Sequence, residues 1–85
     1  MKTFTYTIKD ELGIHARPAG MLAKTAKALD SKITIACGEK SAAATKLMAL
    51  MGMGIKCGDT ITVTINGGDE KASEKAMQEF FKAHL

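Results

Sequence analysis

A histidine, an arginine and a proline stand close together at His15, Arg17 and Pro18, within Gly13-Ile14-His15-Ala16-Arg17-Pro18-Ala19. An imidazole can be neutral and nucleophilic near physiological pH and is a good leaving group once phosphorylated, whereas a hydroxyl ester would hold phosphate too tightly for transfer. This stretch lies where a strand pattern gives way to a helix pattern, and a helix N-terminus offers unpartnered backbone N–H groups and a partial positive charge. His15 therefore stands beside an anion site fit to hold a phosphoryl group, with the planar fork of Arg17 available for its oxygens. Pro18 has no N–H to contribute, so the expected backbone donors are those of Ala16, Arg17 and Ala19.

No second chemistry competes with this one. Cys37 and Cys57 lack CxxC spacing. With no signal peptide ahead of them, they read as free thiols of a reducing cytosol, Cys37 as a small core residue and Cys57 as an incidental thiol in a Gly-flanked turn. No ligand spacing supports a metal, and no Walker loop or nucleotide motif is present, so neither metal nor cofactor is expected. His84 reads as a residue of a frayed C-terminal helix end.

The elements that must position His15 follow from periodicity. Thr3 to Ile8 alternates without a break, placing Phe4, Tyr6 and Ile8 on one face of a strand and three threonines on the other. Gly13 supplies the turn before His15. From Ala16 to about Leu29, apolar residues at 19, 22, 23, 26 and 29 define a helix whose first turn accommodates Pro18, with Arg17, Gly20, Met21, Lys24 and Lys27 on its solvent face. Ile33, Ile35 and Cys37 alternate in a second strand, and Gly38-Glu39 turns into a short third strand near Lys40 to Ala44, where three alanines suit strand or helix. Residues 45–54 read as a short Met-rich helix with Thr45 as its N-cap and glycine at its close. Thr60 to Ile65 alternates again, and Asp69 is placed to cap a last helix whose apolar stripe is Ala72, Ala76, Phe80 and Ala83, with Met77 nearby.

This order, βαββαβα, suits one α+β domain over residues 1–85, with helices on one sheet face and a threonine-rich face left to water. The length allows one core and is too short for two ordinary domains. Twelve Lys and Arg against nine Asp and Glu give a net charge of +3, which favours acidic partners or nucleic acid without selecting either. No apolar run reaches transmembrane length, so no direct membrane insertion is expected.

The motif and the element order together resemble the HPr family, the histidine-containing phosphocarriers of the bacterial phosphoenolpyruvate-dependent sugar phosphotransferase system, over essentially the whole chain. Residues 13–19 look like the family's active-site signature, and Leu47-Met48 through Gly52-Met53-Gly54-Ile55 is similar to its second-helix region. The resemblance implies an open-faced β-sandwich with an antiparallel sheet in the order 1-4-2-3 and three helices on one face. It also implies that His15 accepts a phosphoryl group from phosphorylated enzyme I and passes it to the IIA domain of a sugar permease. Gly20, Met21, Lys24, Lys27, Leu47, Met48 and Met51 would then form the partner surface of a cytoplasmic monomer. A serine expected at the start of the second helix, a regulatory phosphorylation site in some family members, is replaced by Lys46, with Thr45 and Ser41 as the nearby hydroxyls. That substitution keeps open a regulatory or non-sugar relay role. An RNA-binding domain ranks last, because Phe4 and Tyr6 share the inward face and leave no stacking platform.

Overall fold

The two unbroken alternations, far apart in sequence, pair with each other. In the computed structural model, which describes residues 1–85, β1 (Lys2–Thr7) runs antiparallel to β4 (Thr60–Asn66). Phe4 lies opposite Val63 and Tyr6 opposite Ile61, while Thr3, Thr5 and Thr7 face Thr64, Thr62 and Thr60 across the other side. β-branched threonines suit that half-solvated face. β4 pairs in turn with β2 (Lys32–Cys37), and β2 with β3 (Lys40–Ala43), so the sheet is antiparallel in the order β1-β4-β2-β3. The alanine run is thus partly strand.

Three helices cover the sheet's apolar face: α1 (Ala16–Lys27), α2 (Leu47–Gly52) and α3 (Glu70–His84). Ile33, Ile35, Ile61, Val63 and Ile65 are buried beneath Ala19, Leu22 and Ala26 of α1 and Met77, Phe80 and Phe81 of α3. α1 stops two residues before Leu29 because the N–H groups of Ala28 and Leu29 bond three residues back, to Thr25 and Ala26, and so tighten the last turn. Leu29 packs on the core from beyond the helix.

The last helix turns a different face inward from the one its alanines suggest. Ala72 and Ala83 are exposed, and Ser73, Met77, Phe80 and Phe81 are buried. Phe81 decides the rotation: it is fully buried, with its ring centroid 6.2 Å from Phe4, 5.4 Å from Tyr6 and 5.9 Å from Phe80. A buried aromatic outweighs several alanines in apolar area. Ser73 is carried inward with it and satisfied, its hydroxyl 2.8 Å from that of Ser31, which donates to the Gly67 carbonyl at 2.7 Å. Asp69 caps α3 as expected, accepting from the Ala72 N–H at 3.2 Å. The Glu70 carboxyl is held below its usual range, first by its hydrogen bond with the Met1 amine and then by the Gly67 N–H.

α2 starts one residue later than the Thr45 cap requires. The Lys46 N–H bonds to the Ala43 carbonyl at 3.0 Å and closes a turn through Thr45, and the Lys46 carbonyl then accepts from Leu50 at 3.0 Å. Lys46 is therefore the N-cap residue, and no side chain caps the helix.

Candidate functional site

His15 occupies the N-cap of α1 in extended conformation, with φ −104° and ψ −176°. Its carbonyl accepts the Ala19 N–H at 2.9 Å, the first bond of the helical ladder. Ala19 therefore offers no donor to an anion, contrary to expectation: counted from His15 it is the fourth helical residue, where the i to i−4 bond first closes. With Pro18 third, the first turn keeps two backbone donors for a ligand, Ala16 and Arg17.

The loop before His15 is set by contacts with the chain after α2. Gly13 has φ +68°, and a Cβ there would run into the Ile55 carbonyl and lie 2.7 Å from the Lys56 Cα. Only glycine fits that left-handed, crowded position. The next residue, Ile14, donates its N–H to the same Ile55 carbonyl at 3.1 Å, and both isoleucines are buried. The two motifs noted in the sequence thus meet in space.

His15 opens into a hollow of about 250 Å³ lined by Asp10, His15, Arg17, Pro18, Met21, Ala83 and His84. Asp10 Oδ1 lies 4.0 Å from His15 Nε2 and also accepts the Leu12 N–H at 2.9 Å, which fixes the carboxylate in the loop. The far end of α3 is tied to this loop, because the Leu85 backbone oxygen accepts from the N–H groups of Lys9 at 2.6 Å and Asp10 at 2.9 Å. Sequence reasoning marked neither Asp10 nor His84 as a site residue, and it read His84 as part of a frayed helix end, whereas α3 runs through His84 and is closed by the bonded, buried Leu85. An isolated aspartate before a turn carries no signal, and His84 reaches the hollow only through the packing of α3.

The expected partner residues divide among different places. Gly20, Lys24, Lys27, Leu47 and Met48 line a larger groove of about 720 Å³ between α1 and α2, joined by Ala23, Thr45, Lys46 and Ala49. Met21 instead walls the His15 hollow, and Met51 is exposed outside both concavities. Met48 is the most exposed of the groove's large apolar side chains, at 78%, whereas Met53 is buried in the core. Cys57 is exposed and Cys37 half-buried against the core, neither paired with the other. No group of three or more His, Cys, Asp or Glu side chains converges in a way that could hold a metal.

Comparison with known proteins bears on this arrangement as a whole. The family profile described as "PTS HPr component phosphorylation site" matches residues 2–83. A phosphocarrier protein HPr from Mycoplasma capricolum is 39% identical over 79 residues, covering 93% of this chain and 89% of that one. A crystal structure of HPr-C-His from Thermoanaerobacter tengcongensis superposes with a TM-score of 0.91 at 31% identity, covering 98% of this chain and 93% of that one. A multiphosphoryl transfer protein from Xanthomonas campestris is 36% identical over 75 residues, which are 88% of this chain and 9% of the relative.

Proposed function

This chain belongs to the HPr family and is a phosphocarrier of the phosphotransferase system, and from that premise we propose that His15 is the residue that carries the phosphoryl group. The observation that supports this most is the position of His15, an open imidazole at the N-cap of α1, beside the two free N–H groups of the first turn and in one hollow with Arg17.

The reaction uses few parts. Asp10 faces Nε2 of His15, which favours the tautomer with the proton on that nitrogen and leaves the lone pair on Nδ1. Nδ1 attacks the phosphorus of the donor; the bond from phosphorus to the donor breaks, its electron pair leaves with the donor, and a phosphorus–Nδ1 bond forms. The Ala16 and Arg17 N–H groups, the helix dipole and the Arg17 guanidinium stabilise the charge on the phosphoryl oxygens. Onward transfer reverses the step at an acceptor. Positioning and electrostatics suffice for such chemistry, with no metal or cofactor in this chain's own part.

Enzyme I is the donor and the IIA domains of sugar permeases are the acceptors in this reading, recognised in the α1–α2 groove by Lys24, Lys27, Leu47 and Met48. The name of the Xanthomonas relative, a multiphosphoryl transfer protein, agrees with passage from one carrier to the next. Residues 1–85 act as a single HPr-like domain, as a monomer in the cytoplasm and without nucleic acid; no helix is long and apolar enough to cross a membrane. Lys46 stands where some family members carry a regulatory serine, so that site is absent at this position, with Thr45 and Ser41 the nearby hydroxyls. Incubation with phosphoenolpyruvate and enzyme I gives an acid-labile adduct on the wild-type chain and none on His15→Ala. Label that persists on the variant overturns the assignment, and transfer to a panel of IIA domains separates sugar uptake from a regulatory relay.

A further inference from the structure

We propose that His84 is a second imidazole of the phosphoryl site, donating a hydrogen bond from the end of α3 to the phosphoryl group carried on His15. The inference rests on His15 being the carrier residue. Both histidines line the same hollow, and the placement of the second is built into the fold. The Leu85 backbone oxygen fastens the end of α3 to the N–H groups of Lys9 and Asp10. One turn earlier, the ring of the buried Phe80 packs against His84 with centroids 4.8 Å apart, which restrains the imidazole on the helix surface.

Charge gives that position its purpose. A phosphoryl group brings close to two negative charges at neutral pH. The charged or titratable groups facing His84 across the hollow are Asp10, His15 and Arg17. Arg17 is the only permanent cation among them, and Asp10, whose Oδ1 is 4.0 Å from His15 Nε2, repels the incoming oxygens. His84 is the remaining side chain able to donate an N–H, once as the neutral ring and with added charge when protonated. The space is adequate: a water's share of liquid is about 30 Å³, so a hollow of about 250 Å³ holds a phosphoryl group and several waters.

The test loads the protein with phosphoenolpyruvate and enzyme I and follows two readouts. Loading is expected to move the ring ¹⁵N signals of His84. Loss of the phosphoryl group from His15 is expected to be about threefold to tenfold faster in His84→Ala, the effect of one charge-assisted hydrogen bond in a solvent-open site. His84→Gln, which keeps an N–H donor, retains much of the protection. Unmoved His84 signals, or a wild-type rate in His84→Ala, overturn the proposal while leaving His15 as carrier. A wild-type chain that takes no label on His15 overturns both.

Discussion

The two concavities that share α1 are built in opposite ways. At its N-terminal end the hollow around His15 is fixed by backbone: Gly13 in a left-handed conformation against Ile55, Ile14 bonded to the same carbonyl, and the end of α3 tied to Lys9 and Asp10. Along its flank the groove is lined by the long side chains of Lys24, Lys27, Lys46, Leu47 and Met48 over a helix of only six residues. A group that must meet phosphorus in line needs fixed orientation, whereas a surface that receives several partners is served by side chains that can re-pack. In the proposed reading, fixed chemistry and adaptable recognition are thus separated along one helix.

The hardest test of that contrast is Gly13→Ala. The left-handed backbone alone costs about 1–3 kcal/mol for a residue with a Cβ, and the clash with the Ile55 carbonyl adds to it. The expected result is a lowered midpoint in denaturant titration together with slow loading of His15 in the fraction that stays folded. Wild-type stability and loading in this variant would show that the loop is not held as described.

A smaller effect, confined to the groove, is expected from reversing its charge. Lys24→Glu, Lys27→Glu and Lys46→Glu together should slow loading by enzyme I about tenfold or more at low ionic strength, as loss of electrostatic steering does, and the deficit should shrink as salt screens it. Hydrolysis of the phosphoryl group already on His15 should not change. Stopped-flow transfer at several salt concentrations checks both, and a salt-independent defect would place the lysines in the chemistry after all.

The same division explains what could be read from the sequence. The strands were legible because Phe4, Tyr6, Ile61, Val63 and Ile65 alternate with threonines, and a period of two has one structural meaning; the sheet order came from the family resemblance and matches. His15, Arg17 and the donors of Ala16 and Arg17 follow from local helix geometry. Ala19 was misplaced by the uncertainty of a residue or two in the helix start, since its donor is free only if the helix begins later. Thr45 failed similarly, displaced by a turn bond from Lys46 to Ala43 that no propensity encodes. The inward face of α3 was set by aromatic packing around Phe81, a tertiary effect that overrode the alanine spacing. The role of His84 was invisible for the same reason, since it joins the site through the docking of α3 on the β1–α1 loop, while Asp10 is held in that loop by the Leu12 N–H and gave no signal as an isolated aspartate before a turn. The Gly52–Ile55 motif was noticed, yet its role as the support beneath Gly13 is apparent only in three dimensions.

The smallest expected effect is at Met48, and it separates recognition from stability most sharply. The residue is 78% exposed, so truncation to alanine should change folding stability by no more than about 0.5 kcal/mol. In a complex the thioether would be covered, and its removal should weaken binding of a IIA domain about threefold to tenfold, as loss of one apolar interface contact does. Met48→Leu should keep most of the affinity because the groove asks for apolar volume rather than a particular shape. Calorimetric titration against one IIA domain, beside a denaturant curve for each variant, measures the two quantities separately. A loss of stability in Met48→Ala without a loss of affinity would reverse the assignment and make this side chain part of the fold. The opposite outcome leaves the groove as a surface held ready for partners, one whose side chains can change without disturbing the histidine at the other end of the helix.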